Sequence, residues 1–378
     1  MHPDRELILA AMSGGVDSST AAALLVEQGS PACCLAGFEV VGVTMQMWRE
    51  AEERNGAGAG ERNGPSRCAL SSVEDARRVA SMLGIEHHVL DLRELFREAV
   101  IEPFIAGYRS GRTPNPCIAC NRRVKFQALI EMADELSARF VATGHYARVE
   151  RDLSTGRFAL LRGADHSKDQ SYALCGLTQE QLARVLFPLG GMTKSGVRKK
   201  AESLGLPVAA KRESQDICFV PDGDYARFIR EADPGAARPG PILDKSGRVL
   251  GQHEGICFFT VGQRRGLGVP SGQPLYVIAI DGERDTVIVG GRDELFSRSV
   301  LVGDVNWVSV PELDAAVKAL GKLRYTMPAA RCTLEARDQG ELLATFDEGQ
   351  RAVTPGQAAV FYDGDRVLCG GIIERALP

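Results

Sequence analysis

A short glycine-containing stretch, residues 11–19, constrains the fold of this chain more than any other segment. It follows residues 6–10, an apolar run with the length of a buried parallel strand. Residues 18–27 after it predict a helix that begins on hydroxyl side chains and ends at Gly29. Backbone N–H groups in a glycine turn and at a helix N-terminus point toward a common anion. The stretch therefore predicts a phosphate site between a strand and a helix.

The residue types in this stretch narrow the class of phosphate site. It has no lysine where a Walker A loop needs one, and it lacks the Gly-x-Gly-x-x-Gly pattern of dinucleotide-binding folds. The string Ser13-Gly-Gly-Val-Asp-Ser18 resembles instead the signature of PP-loop ATP pyrophosphatases, which split ATP into AMP and pyrophosphate. An ordinary strand-to-helix turn with a serine cap is the alternative. The continuation Asp17-Ser18-Ser19 favours the nucleotide interpretation.

The first part of the chain, up to about residue 150, alternates buried strands with helices. This pattern predicts an α/β fold with a doubly wound parallel sheet. A polar, glycine-rich run at residues 50–66 is interpreted as a surface insertion, and residues 111–121 as a turn-rich loop. Further strands are predicted at residues 39–47, 87–90 and 140–144, and helices at 73–83, 94–108, 124–138, 178–185 and 194–204.

Beyond Lys211 the composition of the sequence changes. Glycine and proline become frequent, and short β-type runs dominate. This half is expected to be all-β, a small linking domain followed by a barrel. The predicted domains are a catalytic domain at residues 1–210, a small β-rich central domain at 211–290, and a C-terminal β-barrel at 291–378.

Composition limits the partners and the compartment. The 378 residues are 44% hydrophobic and 25% charged, with a net charge of −4, as in an ordinary soluble protein. A polyanion must therefore meet a local basic face, such as Arg122, Arg123 and Lys125, or Lys211 with Arg212. We expect a cytoplasmic protein with no membrane partner, because no leader-like or membrane-spanning run is found. The 10 cysteines are accordingly expected to be mostly reduced.

A second constellation is the pair Cys117-x-x-Cys120 together with the distant Cys218. Such a pair is consistent with redox, zinc or iron–sulfur chemistry. Zinc needs a fourth ligand, and no second Cys-x-x-Cys pair exists. The basic residues after Cys120 favour the thiolate, which is the reactive form. Three unrelated cysteines remain the alternative.

Eight motifs occur in an order that closely resembles the tRNA-specific 2-thiouridylase family, enzymes that place sulfur on C2 of the wobble uridine. The resemblance covers about residues 8–374 and implies a PP-loop domain, a small β domain and a C-terminal β-barrel. The motifs are Ser13-Gly-Gly-Val-Asp-Ser-Ser19, Gly111-Arg-Thr-Pro-Asn-Pro116, Cys120-Asn121, Ala142-Thr-Gly-His-Tyr146, Lys168-Asp-Gln-Ser171, Ser214-Gln-Asp-Ile-Cys-Phe219, Gly262-Gln-Arg-Arg-Gly-Leu-Gly268 and Thr354-Pro-Gly-Gln357.

The resemblance implies a role for each matching position. Cys120 is the implied catalytic nucleophile, and Cys218 the carrier of a persulfide sulfur; the two are implied to form a transient disulfide. The implied ATP-binding residues are Ala11, Met12, Ser13, Gly14, Gly15, Val16, Asp17, Ser18, Met45 and Gly144. Contact with the target base or with tRNA is implied for Asn115, Pro116, Cys117, His145, Lys168, Asp169, Gln170, Arg324, Tyr325 and Gln357.

The resemblance also implies ATP with Mg²⁺, a tRNA substrate, and a sulfur-donor protein, either a desulfurase or a relay protein. One position departs from the family pattern, because some members have Asp where this chain has Cys117. The extra thiol leaves open a [4Fe–4S] cluster ligated by Cys117, Cys120 and Cys218. Two other classes are also open: a PP-loop amidotransferase or ligase, and a non-catalytic tRNA-binding or sulfur-carrier protein.

Overall fold

The computed structural model describes residues 6–28, 38–48, 68–211 and 217–377. The predicted insertion at residues 50–66 and the motif residues 214–216 lie outside the described residues. The chain divides into two compact units. The first comprises residues 1–99 and 120–215, and the second comprises residues 100–119 and 216–378.

A five-stranded sheet forms the centre of the first unit. The strands of this unit are β1 (Glu6–Ala11), β2 (Phe38–Gln46), β3 (His87–Asp91), β4 (Phe140–Ala142), β5 (Ala147–Arg151), β6 (Phe158–Arg162) and β7 (Val185–Leu186). The sheet has the order β3-β2-β1-β4-β7 with all neighbours parallel, and β5 pairs antiparallel with β6 outside this sheet. The strand order reverses at β1, so the predicted doubly wound parallel sheet is confirmed.

Helices cover this sheet through small and branched apolar side chains. Ala22 and Ala23 of α1 and Ala76 and Val79 of α2 are buried in the same cluster as Ile8 of the central strand. The α-helices in the part of the chain that the structure describes are α1 (Val16–Gln28), α2 (Cys68–Leu83), α3 (Arg93–Phe96), α4 (Glu102–Arg109), α5 (Pro116–Cys120), α6 (Phe126–Glu135), α7 (Ser171–Leu174), α8 (Gln179–Arg184), α9 (Lys194–Ser203) and α10 (Tyr225–Ala232), with π-helical turns at Arg97–Ile101 and Asn121–Lys125.

The second unit contains two β structures. Four strands, β8 (Gly240–Asp244), β9 (Val249–His253), β10 (Tyr276–Asp281) and β11 (Thr286–Gly290), form a sheet of order β10-β11-β8-β9. Six more form a closed antiparallel barrel of order β12-β15-β14-β13-β16-β17, because β12 also pairs with β17. These strands are β12 (Phe296–Trp307), β13 (Val317–Lys322), β14 (Ala330–Ala336), β15 (Leu342–Arg351), β16 (Ala358–Asp363) and β17 (Arg366–Leu377).

Aromatic side chains fill the barrel. Phe346 and Phe361 are 1% and 0% exposed. Gly321 leaves room for both rings, since a Cβ there would lie 2.7 Å from Cζ of Phe346 and 3.0 Å from the Phe361 ring. Closure of the barrel removes the open edges that a six-stranded sheet would otherwise expose.

Two sequence predictions are wrong in the same way, because short helices occur where proline and glycine indicated loop or strand. Residues 116–120 form α5 rather than a turn-rich loop: Pro116 occupies the first helical position, and Oδ1 of Asn115 accepts a hydrogen bond from the Cys117 N–H at 3.1 Å. The second half is not all-β, since it contains α10. That helix is capped by Asp224, whose side chain accepts from the Arg227 N–H, and it buries Ile229.

No helix within the described ranges has both the length and the apolar character that crossing a membrane requires.

We expect Phe346→Ala to lower the free energy of unfolding by about 3–5 kcal/mol, because it leaves a cavity in the barrel. The matched control is Phe296→Ala in the same barrel, where the side chain is 45% exposed and the cost should be about 1 kcal/mol or less. Urea unfolding followed by Trp307 fluorescence, in a Trp48→Phe background, measures both. Equal losses for the two variants would contradict this account of the core.

Candidate active site

Serine hydroxyls fix the loop between β1 and α1. The Ser13 N–H donates to Oγ of Ser18 at 3.0 Å, and the two hydroxyl oxygens are also 3.0 Å apart. Oγ of Ser18 lies 3.3 Å from the Gly15 carbonyl, to which it donates. Gly14 has φ +68°, and a Cβ there would lie 2.1 Å from the Ser72 carbonyl oxygen, so this position requires glycine.

The loop lies where the strand order of the sheet reverses, between the carboxyl ends of β1 and β4. Gly144, just after β4, lies against the start of α1. A Cβ at this position would be 2.7 Å from the Ser18 nitrogen. Met45 is half-buried near the carboxyl end of β2, where it pairs with Leu90 of β3. Ligands of open α/β sheets bind at such a reversal, so the fold supports the predicted phosphate site.

Asp17, the second residue of α1, is held by two side chains from distant parts of the first unit. Nζ of Lys194 lies 2.7 Å from each carboxylate oxygen, and the Tyr146 hydroxyl donates to Oδ1 at 2.7 Å. The Lys194 residue is 8% exposed, although lysine is rarely buried without a partner. Sequence reasoning missed Lys194, because its only signal is a lysine after a helix-capping threonine, which no motif marks.

A second lysine contacts the same loop. Nζ of Lys211 donates to the Gly14 carbonyl at 3.0 Å and pairs with Asp75 at 2.8 Å. The sequence suggested Lys211 as part of a basic face for nucleic acid. The structure places Lys211 against the loop between β1 and α1, here called the phosphate loop. Its hydrogen bond to the Gly14 carbonyl stabilises the left-handed turn at Gly14.

Cys120 ends α5 and lies beside the carboxyl edge of the parallel sheet. Its Sγ is 3.8 Å from Sδ of Met47, which follows β2, and the residue is only 5% exposed. The turn after it is anchored by Asn121, whose Nδ2 donates to the Ala173 carbonyl at 2.9 Å. Within the first unit, the implied nucleophile and the phosphate loop therefore occupy the same edge of one sheet.

The other two thiols belong to the second unit and are exposed. Cys117 lies in the first turn of α5. Cys218 precedes Phe219, which is 3% exposed and packs against the rings of Phe104 and Phe228, each with a centroid distance of 5.2 Å. The buried ring fixes the backbone beside an accessible sulfur. Cys117, Cys120 and Cys218 are all reduced thiols in this structure.

His145, a predicted tRNA contact, is an uncharged imidazole. Its ring packs against Phe126 at 5.8 Å and Phe187 at 6.0 Å, and Nδ1 lies 2.7 Å from Oγ1 of Thr143. Burial, with a smaller contribution from the positive charge of Lys125, lowers the pKa of His145 to about 3. A neutral ring at neutral pH suits stacking or a neutral hydrogen bond better than pairing with a phosphate.

Two of the predicted tRNA contacts, Asp169 and Gln170, accept hydrogen bonds from backbone N–H groups of the first unit. Asp169 is buried, and its Oδ1 accepts from the Ser171 N–H at 3.0 Å and the Gly163 N–H at 3.2 Å. Oε1 of Gln170 accepts from the Tyr146 N–H at 2.9 Å. These contacts hold the turn next to Tyr146, and contact of Asp169 and Gln170 with tRNA stays a prediction. Lys168 is half-buried.

The predicted tRNA contacts in the second unit are Arg324, Tyr325 and Gln357, and two of them make hydrogen bonds to backbone carbonyls. Arg324 donates to the carbonyls of Val261 at 3.1 Å and Ala352 at 2.9 Å, and Nε2 of Gln357 donates to the Thr113 carbonyl at 2.9 Å. Both side chains therefore connect loops within this unit. Tyr325 is 46% exposed and remains the accessible member of the group.

The residues around the loop fit magnesium ATP. Mg²⁺ is usually held by one or two carboxylates together with the substrate's phosphates, and Asp17 is a carboxylate beside an anion-binding helix N-terminus. An iron–sulfur cluster finds no such support. Among the residues that the structure describes, no three His, Cys, Asp or Glu side chains are grouped so as to hold a metal ion.

Comparison with known proteins shows which family the chain belongs to. Two relatives named "tRNA-specific 2-thiouridylase MnmA" are each 50% identical to this chain. That of Heliobacterium modesticaldum matches over 99% of this chain and 94% of its own, and that of Moorella thermoacetica over 97% and 99%. The chain belongs to the tRNA-specific 2-thiouridylase family. The resemblance found in the sequence is thereby confirmed.

Family models match all three parts of this 2-thiouridylase family member. Their descriptions are "tRNA methyl transferase HUP domain" for residues 6–222, "tRNA methyl transferase PRC-barrel domain" for 227–291, and "Aminomethyltransferase beta-barrel domain" for 297–373. The predicted fold class is confirmed, while the domain boundaries after residues 210 and 290 stay predictions.

Among solved structures, the U34-tRNA thiolase NcsA of Methanococcus maripaludis with its [4Fe–4S] cluster is a distant match. It is 15% identical with a TM-score of 0.35, over 62% of this chain and 69% of its own. A likeness this distant carries no argument about the site of a 2-thiouridylase.

We expect Gly144→Ala to weaken ATP binding by about tenfold, because the added methyl group would displace the start of α1 at a cost of about 1–3 kcal/mol. Gly191→Ala is the matched control, since a Cβ at Gly191 meets nothing within 4 Å. Equilibrium dialysis with ATP measures both variants. Unchanged ATP affinity in Gly144→Ala would contradict the assigned position of the phosphates.

The neutral state of His145 predicts a pH dependence of stability. Because the folded-state pKa of about 3 lies below the ordinary value of 6.5, the unfolded chain binds the extra proton first. Stability is therefore fully present above about pH 6.5 and falls by up to about 1.4 kcal/mol per pH unit below it. Urea unfolding between about pH 6.5 and pH 5 should show a shallower loss in His145→Gln than in the parent. Parallel losses would show that His145 is not buried in its neutral form.

Proposed function

We propose that this chain catalyses the ATP-dependent 2-thiolation of the wobble uridine of tRNA. The observation that carries the proposal is 50% identity to named 2-thiouridylases over nearly the whole length. The phosphate loop at the reversal of the sheet supports the use of ATP. The exposed Cys218 and the shielded Cys120 support a thiol-based transfer of sulfur.

In the proposed first step, the C2 oxygen of the uridine attacks the α-phosphorus of ATP. The bond from this phosphorus to the oxygen bridging to the β-phosphorus breaks, and its electron pair leaves on pyrophosphate. Loop N–H groups and the α1 N-terminus stabilise the departing charge. The step converts a poor leaving group, the carbonyl oxygen, into AMP, which leaves easily.

In the second step, a persulfide on Cys218 supplies the sulfur. Its terminal sulfur attacks C2, the C2–O bond breaks, and AMP leaves with that oxygen. The Cys120 thiolate then attacks the Cys218 sulfur, forming a Cys120–Cys218 disulfide and leaving the electron pair on the thiolated base. A dithiol reductant restores both thiols, and a desulfurase or relay protein reloads Cys218.

The accessibility of the thiols supports this division of roles. A sulfur carrier must meet a donor protein, and Cys218 is exposed. A resolving thiol benefits from protection, and Cys120 is 5% exposed behind Met47. Reduced thiols and a tRNA substrate suit the cytoplasm.

Recognition of the base is proposed to involve the start of α5. A wobble uridine must leave its stack to react, at a cost of a few kcal/mol. Asn115, Pro116 and Cys117 form a rigid capped turn next to Cys120 in the sequence, which suits a wall for the extruded pyrimidine. The remaining proposed tRNA contacts are the neutral ring of His145 and the side chains of Lys168, Asp169, Gln170, Arg324, Tyr325 and Gln357.

A thiolation assay tests the proposal. Unmodified tRNA, ATP and a persulfide donor are incubated with each variant, and 2-thiouridine is measured by mass spectrometry and AMP by chromatography. We expect Cys120→Ala and Cys218→Ala each to lower thiolation by about 100-fold or more, because each removes a bond-forming sulfur. Cys120→Ala should still form AMP in the presence of tRNA, whereas Asp17→Ala should not.

Cys117→Ser tests whether the third thiol takes part in the bond changes while the proposed wall for the base is kept. It keeps a polar side chain at the start of α5 and should retain thiolation if Cys117 is not a reacting thiol. Thiolation that survives in both Cys120→Ala and Cys218→Ala would refute the assigned chemistry. AMP formation that ignores tRNA would favour a ligase acting on another substrate.

A further inference from the structure

Lys194 is a buried charged group that the proposed reaction leaves without a task. It begins α9, after the capping residue Thr193, and its side chain is 10% exposed. Its ammonium lies 2.7 Å from both oxygens of Asp17. The Asp17 side chain is 29% exposed, so the pair lies at an opening of the first unit rather than within its core.

Stability alone does not account for this pair. A buried ion pair is often no more stabilising than apolar residues of similar volume, since removing two charges from water is costly. Asp17 already receives a hydrogen bond from the Tyr146 hydroxyl at 2.7 Å. A second partner as costly to bury as lysine therefore points to a use at the site.

The position of Asp17 indicates what that use is. A carboxylate in the first turn of α1 lies beside the N–H groups that are to receive phosphates, and would repel them if left uncompensated. Lys194 balances this charge in the protein without nucleotide. The lysine ammonium sits on a flexible four-carbon chain with three donors, so it can transfer from the carboxylate to a nearby anion.

The two lysines near the loop are not equivalent. Lys211 donates to the Gly14 carbonyl, a backbone group that is part of the loop itself, and also pairs with Asp75. Its contacts maintain the shape of the loop. Lys194 instead contacts both oxygens of the Asp17 carboxylate, the same group that the magnesium of magnesium ATP would use.

We propose that Lys194 binds the β- and γ-phosphoryl oxygens of ATP, and then the pyrophosphate product, by moving from Asp17 to these oxygens. This inference rests on the proposed use of ATP and adds a residue to it. As the bond between the α-phosphorus and the bridging oxygen breaks, its electron pair moves onto pyrophosphate. Lys194 stabilises that added charge, and Asp17 is left to hold the divalent cation.

The test measures affinities rather than turnover. ATP, pyrophosphate and AMP, each with Mg²⁺, are bound to the full chain without tRNA and followed by calorimetry. We expect Lys194→Met to weaken ATP and pyrophosphate binding by about tenfold or more, as the loss of a charged hydrogen bond predicts, and to leave AMP binding within about twofold. Lys200→Met is the matched control: Lys200 lies on the same helix, pairs with Glu27 at 2.8 Å, and should change none of the three.

The double variant Asp17→Asn with Lys194→Met separates phosphate binding from simple charge balance. If Lys194 only neutralises Asp17, removing both charges restores ATP affinity, and the inference fails. It also fails if Lys194→Met weakens AMP as much as ATP, or weakens neither. If the parent chain binds no ATP, the proposed function is refuted together with this inference. If the parent chain binds ATP and Lys194→Met binds it equally well, only this inference is refuted.

Discussion

The structure depends on the tight turn between β1 and α1. Gly14 takes a left-handed conformation there, and the Ser13 and Ser18 side chains tie the loop to the start of α1, the helix end at which backbone N–H groups favour an anion. The strand order reverses beside β1, which leaves the start of α1 open to a ligand. Gly144 packs against the same helix end from the side of β4. The proposed anion site thus depends on topology and backbone geometry before any charged side chain contributes.

Charged and reactive side chains are then distributed around this cradle according to burial. The carboxylate of Asp17 is balanced by Lys194, and the imidazole of His145 is held neutral by its apolar surroundings. Burial separates the cysteines as well. It raises the pKa of Cys175 to about 12, which makes that thiol inert, whereas Cys117 and Cys218 are exposed. The surroundings of a thiol, rather than its residue type, therefore decide whether a partner protein can reach it.

Local patterns predicted what local physics determines. The strand, glycine loop and helix around Ser13 follow from apolar runs and capping residues within 25 positions, and the alternation of strands and helices indicated the parallel sheet. Short helices were missed at α5 and α10, because proline and glycine near a helix end also occur in loops. Lys194 could not be predicted, since 177 residues separate it from Asp17 and only the packing of α9 brings them together. The loop hydrogen bonds of Arg324 and Gln357 could not be predicted for the same reason, because a motif does not show which backbone carbonyls a side chain reaches.

The most direct measurement of the central claim follows one oxygen atom. A tRNA anticodon stem–loop carrying ¹⁸O at C2 of the wobble uridine is thiolated with unlabelled ATP, and the AMP produced is analysed by mass spectrometry. Activation of the C2 oxygen by the ATP held in the loop predicts one ¹⁸O in the phosphate of AMP for each 2-thiouridine formed. Recovery of the label in water, with unlabelled AMP, would contradict the account.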